Sequence, residues 1–443
     1  MLVLVRRLLA ASLLCSALAV HSSPVGSELQ INTYSTGSQE HVALAARPDG
    51  TFLALFSSQG SDGSDTDQAS IQGQRLASDG APMGGSFQVN AYTTSDQQWP
   101  AVALRPGGGF IAVWQSQGSV GSDNLGTSIA GRLFGADGLP ETAEFQINSL
   151  TVDDQEWAAV AAGADGDFVV VWESNDPGAD GEFSGVRGQR FASDGGFLGA
   201  EFQVNTGTLG DQKEPSVGVD ANGGFLVTWH GIRDSGGDTV WARRFESDGS
   251  AIGGDFEVAL PGMTSYAAQS AVSVEPDGGF VVAWADYSMF TPADGIIKGR
   301  RYDSTGSPDA DPFDISPVTT AIKARPAIAR GADGGFLVTW QSSQDETGDD
   351  SDSTSIQARR LGAAGEPLGL PFQVNTLGTG SQNVPDVAIG PGGLALVGWQ
   401  SAVSSGGDSS GTSIQGQIFR VEVPLFADGF ESGDTSRWAE PES

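Results

Sequence analysis

The sequence predicts an all-β protein, a seven-bladed β-propeller with four antiparallel strands in each blade. Three observations carry this expectation. One unit recurs seven times along the 443 residues. Each unit holds four short stretches of alternating apolar and polar residues, rich in β-branched and aromatic side chains. Turns rich in Gly, Asp and Asn separate those stretches, and nowhere does a helical period persist.

The recurring unit is easiest to follow by two landmarks. The first is Leu29-Gln-Ile-Asn32, which returns as Phe87-Gln-Val-Asn90, Phe145-Gln-Ile-Asn148, Phe202-Gln-Val-Asn205, Phe256-Glu-Val-Ala259, Phe313-Asp-Ile-Ser316 and Phe372-Gln-Val-Asn375. The second is an apolar stretch ending in Phe56, Trp114, Trp172, Trp229, Trp284, Trp340 or Trp399, with successive spacings of 58, 58, 57, 55, 56 and 59. Chance does not hold such a register.

The second unit shows the elements in order. Pro100–Leu104 is the first strand, Pro106-Gly-Gly a tight turn, and Phe110–Trp114 the second strand. Residues 115–127 form a Gly/Ser/Asp-rich loop, Ser128–Phe134 the third strand, and Phe145–Asn148 the fourth. The turn before the fourth strand carries Gly80, Gly138, Gly195, Gly249, Gly306 or Gly365, as a positive φ would require. Units this short bury too little surface to fold singly. A ring buries both faces of each unit and protects its edges.

Within a blade the first stretch is rich in small residues, as in Ala158-Ala-Val-Ala161, and suits the crowded axis; it is strand A. The Trp-ending stretch is B, the Ser-Ile-x-Gly stretch C, and the Phe-Gln-Val-Asn stretch D at the rim. The large aromatics are expected to wedge between blades. The small residue of strand C (Gly73, Gly131, Gly188, Ala242, Gly299, Ala358, Gly416) reads as a close contact with a neighbouring blade. Antiparallel order places the B–C loops and D–A connections on one side of the disc, and their length and variability make that side the expected binding face.

The ends of the chain suggest how the ring closes. Leu29–Asn32 is a D strand with no A strand before it. The last unit runs through Pro385–Ile389, Leu394–Trp399 and Ser413–Phe419, then enters Val421-Glu-Val-Pro-Leu-Phe426 in place of a D strand. Pairing of residues 29–32 with 413–419 would complete the seventh blade and cover an open edge. Residues 421–426 compete for that edge, but Pro424 cannot donate to a ladder.

Residues 1–19 read as a secretory signal, 20–28 as a short linker, 29–420 as the propeller and 421–443 as a tail. The signal combines Arg6 and Arg7, an apolar run from Leu8 to Val20 and an Ala17-x-Ala19 cleavage site. The run is too short for a comfortable membrane span. The single cysteine, Cys15, lies within it after the bulky Leu14, which does not suit a lipoprotein. An exported, disulfide-free product beyond the inner membrane of a Gram-negative bacterium is expected. The formal net charge of -33 argues against nucleic acid and anionic membrane as partners.

Candidate chemistry sits in the acidic B–C loops. The first holds Asp62, Asp65 and Asp67; the third Glu173, Asp176, Asp180 and Glu182; the sixth Asp345, Glu346, Asp349, Asp350 and Asp352. Such carboxylates suit Ca²⁺, a hard ion that takes oxygen ligands, although their spacing matches no EF-hand. His41 and His230 are too isolated in sequence to form a metal site, and His230 reads as a surface or loop residue. Gln39, Gln97, Gln155, Gln212 and Gln382, with the Asn that ends most D strands, recur too often to be a single site and read as hydrogen-bonding supports of the D–A connection.

Taken together, Phe-Gln-Val-Asn-Thr, Gln-x-x-Pro-x-Val, Asp-Gly-Gly-Phe-Val-Val-x-Trp and Ser-Ile-x-Gly-Gln-Arg-Phe resemble a repeat of secreted bacterial proteins, over residues 29–420. Related repeats occur in calcium-binding-type exported and adhesin-like proteins, and the resemblance implies no defined activity. The tail from Phe426 to Trp438 resembles a short ending of exported Gram-negative proteins. The functional expectation is a monomeric exported binding or scaffold module whose ligand is a protein, glycan or surface polymer. The alternatives are a calcium-stabilised propeller of a cell-surface or adhesin-like system and an extracellular hydrolase using loop carboxylates.

Overall fold

The computed structural model describes residues 23–175, 184–233, 236–259, 265–288, 295–317, 321–343, 354–408 and 410–421. Strand B of the second blade shows why the chain folds as it does. Its sequence, Phe110-Ile-Ala-Val-Trp114, is apolar on both faces, and every one of these side chains is buried. Phe110, Ala112 and Trp114 pack on Leu53, Leu55 and Ile71 of the blade before. Ile111 and Val113 pack on Phe168, Val170 and Trp172 of the blade after. Each blade therefore supplies half of two cores, and seven such clusters lie between consecutive blades.

The described residues form seven four-stranded antiparallel sheets, each ordered A-B-C-D. Blade 2 comprises Gln97–Leu104, Phe110–Gln117, Thr127–Phe134 and Phe145–Gln146. The A and B strands extend past the sequence-expected limits because the Gln that opens A pairs with the residues following the B-strand Trp, as in Gln97↔Ser116. Each A strand touches the A strands of both neighbouring blades, and the series returns from blade 7 to blade 1, so the A strands line the axis. No helix among the described residues is long and apolar enough to cross a membrane.

The B-strand aromatics wedge between blades as expected, and a second aromatic pair reinforces each of several blades. The first residue of B stacks on the last of C, with ring centroids 4.6 Å apart for Phe110–Phe134 and 4.7 Å for Phe225–Phe245. The small residue of strand C has a different cause from the one expected. A Cβ built on Gly73 would lie 2.4 Å from the ring of Phe87, its cross-strand partner in the same blade. The close contact is thus within the blade, where the tip of the D-strand ring reaches the space above strand C.

The seventh blade is closed by the start of the chain. Ser23–Gln30 pairs with Ser413–Arg420, with Leu29 opposite Gly416 and Gln30 opposite Gln415. Residues 23–28, expected as linker, belong to this strand. It reproduces a whole D strand, including the bulge and the positive-φ glycine three residues before the landmark: Gly26 (φ 77) matches Gly199 (φ 80) and Gly253 (φ 78). Asn32 adds side-chain bonds, its Oδ1 accepting from the Ile414 N–H at 2.9 Å. Glu28 clamps the other side of the junction. Its Oε2 accepts the N–H groups of Thr376 and Leu377 at 2.7 and 3.2 Å. Residues 1–22 and 422–443, which include the expected signal and nearly all of the tail, lie outside the described residues.

Removal of residues 23–30 should expose the Ser413–Arg420 edge, lower the melting temperature and promote aggregation. Glu28→Ala, which removes the acceptor of two part-buried N–H groups, should cost about 1 kcal/mol in urea unfolding.

Candidate binding site at the axial mouth

The repeated polar residues fasten the face that carries the D–A connections. In blades 3, 4 and 7 the Gln that opens strand A accepts the indole N–H of the B-strand Trp, at 2.9 Å in each case. Its amide donates back to carbonyls two and three residues earlier, as Gln97 does to Thr94 and Ser95. The Asn at the end of strand D accepts a strand C N–H, at 2.9 Å for Asn90–Ile71 and Asn148–Ile129. These bonds fasten the D–A connection on both sides, the supporting role expected of them.

Two residues beyond that Gln position the strand does something periodicity does not reveal. In all seven blades strand A carries a register shift at this point, as between Gln98 and Ala101. The extra residue is left-handed: His41 (φ 55), Trp99 (52), Trp157 (55), Glu214 (48), Gln269 (55), Arg325 (51) and Val384 (50). None is glycine, and a left-handed L-residue costs roughly 1–2 kcal/mol. The backbone device is repeated in every blade and the side chain is not. Strain of this kind concentrates at functional sites, and bulges serve to re-aim a side chain.

These seven residues are half-buried and ring the axis at the end of strand A that meets the D–A connection, on the face with the long loops. His41 stacks on Trp99 with centroids 3.4 Å apart, and Trp157 packs on Trp99 at 4.1 Å with its ring tilted by 45°. The Arg325 guanidinium reaches from blade 6 to within 5.5 Å of the Trp99 ring centre and 5.6 Å of the Trp157 ring centre. A cavity of about 210 Å³ opens beside them, lined by Trp99, Trp157, Glu214, Gln269, Ser270 and Arg325 with three prolines. One layer below, the residue after the B-strand aromatic holds the next blade's mouth residue. Ser57 accepts the Trp99 N–H at 3.2 Å, Glu173 that of Glu214 at 3.4 Å, and Gln341 that of Val384 at 3.1 Å.

One sector of the mouth is aromatic and its neighbour is acidic. Glu214 lies 3.8 Å from His230, and Lys213 pairs with Asp211 at 2.8 Å. Glu173 is buried; that burial, with Glu156 and Glu214 adding to it and Lys213 opposing, pushes its carboxyl up to about 7. Burial, then the Arg325 charge, brings His41 down to about 4, so it stacks as a neutral ring at neutral pH. Tyr287 donates to Gln269 Oε1 at 3.3 Å, and burial raises its hydroxyl. Asp386, on strand A of blade 7, accepts the Leu44 N–H of blade 1 at 2.7 Å and is raised by burial to about 6.

The first B–C loop carboxylates have separate duties. Asp62 accepts from the Ser86 hydroxyl at 2.9 Å, and Asp67 from the Ser95 N–H at 3.2 Å. Asp65 is buried and accepts from Asn90 Nδ2 at 2.6 Å, a pairing repeated by Asp123–Asn148 and Asp408–Asn32. Asp176, Asp180, Glu182, Asp345, Glu346, Asp349, Asp350 and Asp352 lie outside the described residues. Among the described residues no three His, Cys, Asp or Glu side chains converge as a metal site would need. Two placements differ from expectation. Glu173 is in strand B, Phe168–Ser174, and not in the third loop. His230 is also within strand B, its side chain 16% exposed, because the B strand continues past its Trp to pair with Lys213. The mouth residues were missed as a set. The available signal was the column two after the Gln, which runs His, Trp, Trp, Glu, Gln, Arg, Val where the strand beyond it stays mostly small and apolar.

No protein-family model matches the chain, and no curated protein matches it in sequence. Solved structures do resemble it. A protein of unknown function from Dyadobacter fermentans is 12% identical over 90% of this chain and 99% of its own, with a TM-score of 0.52. The polysaccharide lyase Uly1 is 8% identical over 86% of this chain and 90% of its own, with a TM-score of 0.54. At these identities the likeness concerns the fold.

Glu173 makes stability depend on pH. Its native carboxyl, near 7, holds a proton more tightly than the ordinary value of 4.5 allows, so stability falls as pH rises from about 4.5 to about 7 and is level above. Glu173→Gln keeps an acceptor for the Glu214 N–H and removes that fall. Urea unfolding at pH 4.5 and pH 8 should show the variant gaining up to about 3 kcal/mol on the parent across this window.

Proposed function

We propose that the chain is an exported carbohydrate-binding propeller that receives a sugar ring of a glycan at the axial mouth. One observation carries this reading: seven backbone-equivalent left-handed positions present six different side-chain types, with Trp twice beside a cavity. A sugar ring offers an apolar C–H face that matches an indole, and a rim of hydroxyls that matches the carboxylate and amide of Glu214 and Gln269. Aromatic walls with a few placed polar groups are the usual makeup of a ligand pocket. The supports below, from Ser57, Glu173 and Gln341, hold the mouth backbone in place before any ligand arrives, which lowers the entropic cost of binding. The likeness to a polysaccharide lyase adds the fold and nothing about this mouth.

Titration with a panel of soluble polysaccharides, followed by tryptophan fluorescence, tests the reading. Trp99→Ala and Trp157→Ala should each weaken binding by about tenfold or more. Leu370→Ser, at a position 85% exposed on the rim of blade 6, should leave it unchanged. Affinity that survives both Trp substitutions would overturn the proposal. Release of reducing ends or unsaturated products, abolished by Glu214→Gln, would replace it with an active site at the same place.

A further inference from the structure

Carboxylates outnumber cations around the mouth, yet none of the described ones pairs with Arg325. In the acidic sector Glu214, Glu173 and Glu156 face Lys213 and His230. Arg325 faces Trp99, Trp157, Gln269 and the neutral His41. Its guanidinium has no ion pair and no hydrogen-bond acceptor among the described residues. Most other described arginines have such a partner. Arg105 and Arg301 pair with carboxylates, while Arg47, Arg132 and Arg359 donate to backbone carbonyls. The backbone of Arg325 is nevertheless fixed, with a φ of 51 and its N–H held by Gln269 Oε1 at 3.0 Å. The result is a placed cation with open donors, beside two indoles, on a protein of formal net charge -33.

A guanidinium presents a planar fork of donors that suits a carboxylate or a similar oxyanion with two bonds. The walls beside it suit the sugar ring that would carry that group. We infer that the ring received at the mouth bears an anionic substituent, the carboxylate of a uronate or a sulfate ester, bound by Arg325 while the ring packs against Trp157. This rests on the glycan-binding reading above and narrows it to acidic glycans. The overall negative charge opposes such a ligand at long range, so recognition depends on this one contact and not on a basic surface. Salt screens the distant repulsion more than the close pair, since the Debye length is about 10 Å at 0.1 M.

The test compares a polyuronate, its carboxyl-reduced neutral counterpart and a sulfated neutral polysaccharide, each titrated into the parent, Arg325→Gln and Arg325→Lys. The parent should bind one anionic polymer about tenfold or more tighter than the neutral one. That preference should not weaken between 0.05 and 0.3 M NaCl. Arg325→Gln should bring the anionic polymer to within about twofold of the neutral one, and Arg325→Lys should keep part of the preference. A preference for the uronate assigns a carboxylate to the site, and a preference for the sulfated polymer assigns a sulfate; either supports the inference. Equal binding of neutral and anionic polymers by the parent, or a preference unchanged in Arg325→Gln, would overturn it while leaving glycan binding at the mouth intact. Failure of all three polymers to bind would overturn both.

Discussion

A sheet that is apolar on both faces can be dry only between two others, and this constraint governs the molecule. In blade 2, alternate residues of a single strand enter two different cores. No blade can therefore stand at an end, and the sheets must form a closed ring. Closure brings seven A strands to one axis. There the side chains must be small, as with Ala101, Ala103, Ala159 and Ala161, and there each strand takes in one extra residue. The mouth is thus a consequence of ring packing. Its backbone follows from the architecture, and its chemistry is free to differ from blade to blade.

Polar residues divide along the same line. Those that repeat, such as the Gln at the start of A and the Asn at the end of D, satisfy buried backbone groups that would otherwise cost about 1–3 kcal/mol each. At the axial mouth the polar residues do not repeat. Blades 5 and 6 show the division from its exceptions. Where Ala267 and Lys323 replace the Gln, the indoles of Trp284 and Trp340 are left without an acceptor, and in blade 2 Trp114 lacks one although Gln97 is present. The ring tolerates these losses because each blade is held from both sides by its apolar neighbours.

Much of the fold was legible in the sequence because it rests on period-2 patterning and repetition. The blade number, strand order and closure by the first strand all follow from residues visible in the chain. The closing strand was read as shorter than it is, since Gly26 and Glu28 resemble linker residues until aligned with Gly199 and Glu201 of blade 3. The site was less legible for a physical reason. A bulge adds a residue without altering composition, and a left-handed Trp looks like any strand Trp. Attention went to the acidic loops, where Asp65 turns out to anchor Asn90. The informative position was the one that broke the repeat, His41 through Val384.

The bond between Asn and strand C also bears on how the chain folds. In blade 2 it joins residues 19 apart in sequence, and in blade 7 the same bond, also 2.9 Å long, joins Asn32 to Ile414 across 382 residues. The contact is the same in the finished ring, but the chain entropy lost in reaching it is not. Closing the longer loop costs about 2.7 kcal/mol more on the logarithmic scaling of loop entropy. The other six blades assemble from neighbouring sequence and can form in any order. The seventh needs both ends of the chain, so this seam is where we expect the ring to close last and open first.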